Sequence, residues 1–463
     1  MPQTLWTSIA ELENAVKGIC SVKHGELTVA DKSEFAKFAD ELAWNAVFNP
    51  DEKVRGLARW YIWEGSAALK CPSASIHDLY MERAHNEYES ATVPAINIRG
   101  LTYDVARTIF RSMKKNNACA IIFEIAKSEI DYTKQRPAEY ASVVLAAAIR
   151  ESYVGPVFIQ GDHFQVNAKK YAANAREEME SLKKLMTEAI EAGFYNIDID
   201  SSTIVDLSKP TCLDQQRANF ETCAELTKHI RKFEPKGMTI SVGGEIGEVG
   251  GKNSTVEELA TFMEGYNSSL GTAKNRITGI SKISVQTGTS HGGVPLPDGK
   301  IAKVKLDFEV LEQLGAVARE QFHLGGVVQH GASTLPEEAF DNFPKKQTVE
   351  VHLATGFQNI IYDSAAFPKE VKDEIYAWLK QNCAGERKEG DSEEQFYYKT
   401  RKKGFGPFKQ KLWSLPEETR SAIMSELSRT VDMLFKKLNA VGSKKLTDKY
   451  IKPVAVHKRP PVI

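Results

Sequence analysis

Three histidines of this 463-residue chain stand where side chains can do chemistry. Asp162-His163 ends the apolar run Val157-Phe158-Ile159; His291 ends Gly288-Thr289-Ser290, and His330 ends Val327-Val328-Gln329. Each has a glycine one or two positions away: Gly161, Gly292 and Gly331. Three imidazoles with one coordination position left open suit a divalent cation acting as a Lewis acid, Zn²⁺ first among them. The turns Gly292-Gly293 and Gly331-Ala332-Ser333 offer backbone N–H groups as an anion nest, so a phosphate could sit beside the metal. A lone histidine at a strand end carries little weight. Three of the chain's 10, placed alike, carry more.

Residues this far apart meet only if the fold gathers strand ends onto one face. Strand-like runs occur at 95–98, 118–125, 157–160, 195–199, 238–242, 283–286, 326–329 and 358–362, with helical periodicity between most of them. This alternation predicts an α/β fold, a (β/α)8 TIM barrel, in which the C-terminal strand ends share one rim. A doubly wound open sheet is the alternative, but no Gly-x-Gly-x-x-Gly follows a first strand. On the predicted rim also stand Asp198 and Asp200 after the fourth strand, Glu245, Glu248 and Asn253 around the fifth, and Asn359 on the eighth.

Residues 5 to about 70 show helical spacing and read as packing elements. The expected organisation is an N-terminal helical extension over 1–75, the catalytic barrel over 76–366 and a C-terminal helical extension over 367–463. In the last, 398–409 is strongly basic; it reads either as a solvated face or as a phosphate contact reaching the barrel, with Arg401 as the candidate. A formal net charge of -1 gives no electrostatic reason to expect nucleic acid or an anionic membrane as partner. No run stays apolar for the roughly 20 residues of a membrane span, and the start lacks a secretory leader, so the expected location is the cytoplasm. Six scattered cysteines, without Cys-x-x-Cys spacing, read as reduced thiols.

From about Ile76 to Asp363 these motifs resemble, in order, the class II metal-dependent fructose-bisphosphate aldolases and their tagatose-bisphosphate relatives. Asp162-His163 resembles the family's strand-three Asp-His, and Glu245-Ile246-Gly247 with Gly250-Gly251 its strand-five loop. Gly288-Thr289-Ser290-His291-Gly292, His330-Gly331-Ala332-Ser333 and Asn359 are similar to its motifs on strands six to eight. The resemblance implies that His163, His291 and His330 bind catalytic Zn²⁺ and that Asp162 moves the C4 hydroxyl proton. It further implies that Asn359 holds the enediolate, that Gly292, Gly331 and Ser333 bind a substrate phosphate, and that Asp200 and Glu245 back the metal or offer it an alternate position. Co²⁺, Fe²⁺ or Mn²⁺ also suits such a site, and a monovalent cation is a further candidate. The chain departs from the family where a glutamate usually follows Gly-Gly: Asn253 stands there, beside the substrate, leaving Glu248 as the nearest candidate base. The activity implied is reversible cleavage of fructose 1,6-bisphosphate to dihydroxyacetone phosphate and glyceraldehyde 3-phosphate, a step of glycolysis and gluconeogenesis. The alternatives are tagatose 1,6-bisphosphate or another ketose phosphate as substrate, or a non-catalytic subunit supporting a partner aldolase. The expected partners are a small sugar phosphate and further copies of the chain, as a homodimer or larger homo-oligomer.

Overall fold

Eight short, mostly buried strands arranged in parallel close on themselves. The computed structural model describes residues 4–23, 25–88, 91–247, 252–271, 277–288, 296 and 306–461. The barrel strands are β1 (Val93–Asn97), β2 (Ile122–Ala126), β3 (Val157–Gln165), β4 (Asn196–Asp200), β5 (Ser241–Glu245), β6 (Lys282–Val285), β7 (Val327–Gln329) and β8 (Glu350–Leu353). Each pairs with the next in parallel, and β8 returns to β1 with His352 opposite Ala95 and Leu353 opposite Ile96. The circle has no open edge, which removes the unpaired N–H and C=O groups of a flat sheet. The intervening helices start where sequence signals place them. Val256–Leu270, for example, begins at a capping box between Thr255 and Glu258 and stops at Gly271.

The eighth strand corrects the sequence reading. Residues 358–362, expected as a strand, belong to the helix Thr355–Asp363, and the strand lies earlier, at Glu350–Leu353. In this strand the apolar residues Val351 and Leu353 join the hydrophobic core, while Glu350 and His352 reach polar groups of other strands, Gln160 and Asp162. The helix buries Phe357 with Ile361 and Gln358 with Tyr362, which is the four-residue spacing of a helical face.

The N-terminal region differs as well. Between its helices lies an antiparallel pair, Cys20–Lys23 with Glu26–Val29, turned through Gly25 at φ 85°. Its strands of four residues are too short to show a period in the sequence. Helices Lys32–Phe48 and Glu52–Ala68 follow, and Asp40 on the first bonds Arg150 (2.9 Å) and Tyr103 (2.8 Å) of the barrel helices. The C-terminal helix Glu417–Lys437 is tied to helix Thr102–Lys115 by Arg420 to Asp104, 2.6 Å. The chain end then returns across the N-terminal helices, where Trp60 and Trp63 donate their indole N–H groups to the carbonyls of Lys458 and Val456.

Candidate functional site

The rim is organised by an irregularity in β3. Its register against β4 slips between Gly161 and Phe164, so one extra residue is inserted and His163 takes φ 41°. A left-handed histidine costs of order 1 kcal/mol or more and is tolerated only where its surroundings fix it. Here the Phe164 ring lies against Gly161, where a Cβ would meet ring carbon at 2.5 Å. The bulge brings two successive residues, Asp162 and His163, to one site, which a regular strand would send to opposite faces.

Around that pair three of the expected groups converge. His163 Nδ1 lies 3.1 Å from Asp200 Oδ2 and 3.4 Å from Glu245 Oε2. His330 Nε2 is 3.6 Å from Asp162 Oδ1, its Nδ1 is 4.0 Å from Glu245 Oε1, and the His163 and His330 rings are 4.2 Å apart. Asp162, His163 and His330 each offer a ligand atom within 4.8 Å of the others, and so do His163, Asp200 and Glu245. Buried imidazoles beside carboxylates at this spacing fit a divalent cation by the chemistry of the donor set. His291, Gly292 and Glu248 lie outside the described residues.

Residues that the sequence reading missed complete the site. His352, at the end of β8, sets Nδ1 3.2 Å from Asp162 Oδ1 and Nε2 2.6 Å from Glu350 Oε1, with its ring edge-on to His330 at 4.2 Å. Asn97, at the end of β1, donates to Asp162 Oδ2 at 2.8 Å and to Glu129 at 2.9 Å. Deeper in the barrel the fully buried Lys282 ammonium bonds Glu350 (2.5 Å), Gln160 (2.8 Å) and Asp198 (3.0 Å), and the Tyr80 hydroxyl donates to Glu350. Barrel interiors are usually filled by branched apolar side chains, so a charged layer here is a departure that must be internally paired. The available signal was period-two polarity within an apolar stretch, as in Val349-Glu350-Val351-His352-Leu353.

Burial and charge set the protonation of this cluster. Burial works against the Asp162 carboxylate, but His163, then His330 and His352, outweigh it and hold its pKa well below the usual range. Burial and then Asp200 push Glu245 up to about 7. Burial, with His352 and His163 nearby, pushes His330 well down and keeps it neutral, the form in which imidazole donates to a metal.

Above the cluster opens a cavity of about 610 Å³ whose walls include Asp162, His163, His330, His352, Gly331 and Ser333. Gly331 has φ 69°, and the Ser333 hydroxyl accepts from Gly356 N–H at 3.0 Å. Three expected residues stand elsewhere. Asn253 donates to Asp307 at 3.3 Å and does not line this cavity. Asn359 sits within the helix after β8 rather than at a strand end; its amide N–H reaches the Tyr398 hydroxyl at 3.2 Å and its oxygen accepts from Arg401 at 2.6 Å. Arg401, expected at a phosphate, is buried and grips Asp363 through two bonds of 2.5 and 2.9 Å. It too is absent from the cavity wall; its Nη groups turn to Asp363 and Asn359.

Fold and site together define a (β/α)8 barrel with a candidate metal centre at the C-terminal rim. The chain belongs to the class-II fructose-bisphosphate aldolase family, whose sequence pattern matches residues 80–405. Among solved structures it is similar to a protein from Sinorhizobium meliloti 1021 assigned as a tagatose 6-phosphate kinase, with 16% identity, TM-score 0.51 and coverage of 80% of this chain and 95% of that one. It is also similar to the fructose-bisphosphate aldolase of Campylobacter jejuni, with 16% identity, TM-score 0.47 and coverage of 82% and 99%. No curated protein sequence matches the chain.

Proposed function

We propose that this protein is a Zn²⁺-dependent class II aldolase that reversibly cleaves fructose 1,6-bisphosphate to dihydroxyacetone phosphate and glyceraldehyde 3-phosphate. The observation that supports this most directly is the placing of Asp162. Its carboxylate is fixed through both oxygens, by His352 and Asn97, beside His163 and His330 on the wall of a substrate-sized cavity.

His163 and His330, with His291 as third ligand, would hold the cation, and Asp200 and Glu245 stand close enough to His163 to receive it in an alternate position. When bound, the cation supplies the positive charge that a developing enediolate requires. The protein's own work is proton handling and orientation. Asp162, held ionised, accepts the C4 hydroxyl proton as the carbon–carbon bond breaks, and returns it in the synthetic direction. Gly331 and Ser333 receive one phosphate. Glu248 is the proposed base at C3, because the Asn253 amide cannot take a proton. Cytoplasmic location and a homo-oligomeric state belong to the same proposal.

Tagatose 1,6-bisphosphate, which differs in C4 stereochemistry, is the second substrate to test. Cleavage of the two ketose bisphosphates should be followed side by side in metal-depleted protein with and without added Zn²⁺. Zinc-dependent release of triose phosphates is the expected result. Activity indifferent to chelator, or no cleavage of either sugar, refutes the proposal.

A further inference from the structure

Two arginines at the N-terminal end of the barrel, opposite the rim that carries Asp162, are buried without a counter-charge among the described residues. Arg83 stands in the last turn of the helix His77–Ala84, which leads towards β1, and Arg319 in the last turn of the helix Phe308–Glu320, which leads towards β7. The chain after the second helix comes up against the first: a Cβ on Gly325 would meet the Tyr80 backbone oxygen at 3.0 Å. Arg83 is 0% exposed and Arg319 9%. Arg83 Nη1 donates to the Ala91 carbonyl just ahead of β1, and its guanidinium carbon lies 5.7 Å from the centre of the Tyr88 ring. Its Nε and Nη2, like Nε and Nη1 of Arg319, have no hydrogen-bond partner among the described residues, and neither side chain forms an ion pair with any of them.

We infer that the guanidinium groups of Arg83 and Arg319 form a binding site for a small inorganic anion, chloride or phosphate, which fastens the ends of these two helices at the base of the barrel. A guanidinium stays protonated in a folded protein, so burial is not relieved by loss of the charge. A buried charge persists only when it is paired, and each N–H left without an acceptor adds its own cost. The negative ends of the two helices and the face of the Tyr88 ring offset part of this, but they give the remaining N–H groups no acceptor. An anion between the two side chains supplies the acceptors and the charge together. Burial lowers the Arg83 pKa, Tyr88 opposes it, and Arg319 lowers it further, as a like charge close by must. The site lies on the face of a barrel that serves stability rather than chemistry, so the inference does not depend on the reaction proposed above.

Thermal unfolding of the full chain in sodium chloride or sodium phosphate, against sodium methanesulfonate at equal ionic strength, tests this. One or both of the small anions should raise Tm by about 3 °C or more, and the one that does so is the occupant. Where chloride is the occupant, its NMR signal should also broaden in the presence of the protein. Arg83→Met and Arg319→Gln should each abolish the anion-specific rise; if Arg83→Met does not fold, Arg319→Gln decides alone. Ser333→Ala, at the rim, should keep the rise, which separates this site from phosphate bound in the cavity. No anion-specific rise in the parent protein, or an equal rise in the arginine variants, overturns the site. A rise that appears only in Glu89→Gln makes that carboxylate the counter-charge and overturns it as well.

Discussion

His352 Nδ1 lies 3.2 Å from Asp162 Oδ1, and its other nitrogen lies 2.6 Å from a Glu350 carboxylate that Lys282 holds at 2.5 Å. The proposed proton carrier is therefore braced from inside the barrel as well as by Asn97. Replacing His352 with Ala should lower kcat on the order of 100-fold, with KM and zinc content nearly unchanged. His352→Asn keeps an N–H donor near the position of Nδ1 and should recover much of that loss. If both variants lose zinc in parallel with turnover, His352 serves the metal rather than Asp162.

Asp162→Asn should reduce kcat by about 10² to 10⁴ while the protein stays folded, because an amide of nearly the same shape cannot accept the proton. The check is steady-state kinetics beside metal analysis. A variant with near-normal turnover would assign the C4 proton to another group.

His330→Ala should lose both zinc and retro-aldol activity, since an imidazole ligand has no substitute in alanine. Metal content per chain, measured after dialysis against limiting zinc, decides this. Cys119→Ala, at a buried thiol distant in role from the site, should retain both.

Lys282→Met removes the ammonium that bonds Glu350 and Asp198 within a buried carboxylate layer. Leaving Glu350 and Asp198 without it should cost on the order of 3–5 kcal/mol, seen as a lower urea midpoint. An unchanged midpoint would mean that the carboxylates neutralise one another by sharing protons.

Stability should also fall on acidification through His77. Burial, and then Arg231, lower its pKa from 6.5 to about 4. The folded protein keeps the ring neutral, while the unfolded chain takes a proton below 6.5, so this contribution is complete above 6.5 and is lost as pH falls towards 4. Between pH about 7.5 and about 5, His77→Gln should lose about 2 kcal/mol less than the parent protein in urea titrations. Parallel losses in the two proteins would exclude His77 as the source.

The sequence by itself determined the strand–helix alternation and the polar doublet at the end of β3. It also placed His330-Gly331-Ala332-Ser333 at the end of β7. These signals are local: apolar runs, glycine turns and side chains adjacent in the chain. Only the tertiary structure decided the rest. His352 and Lys282 acquire roles because closure of the barrel brings strands distant in sequence to within hydrogen-bonding distance. The position of the eighth strand was hidden because its polar residues face the barrel interior. Within one basic run, the tertiary fold pairs Arg401 with Asp363 and turns Lys402 to the cavity. Composition treats these neighbours alike; what separates them is which one the packed turn sets against Asp363 and which it leaves on the cavity wall.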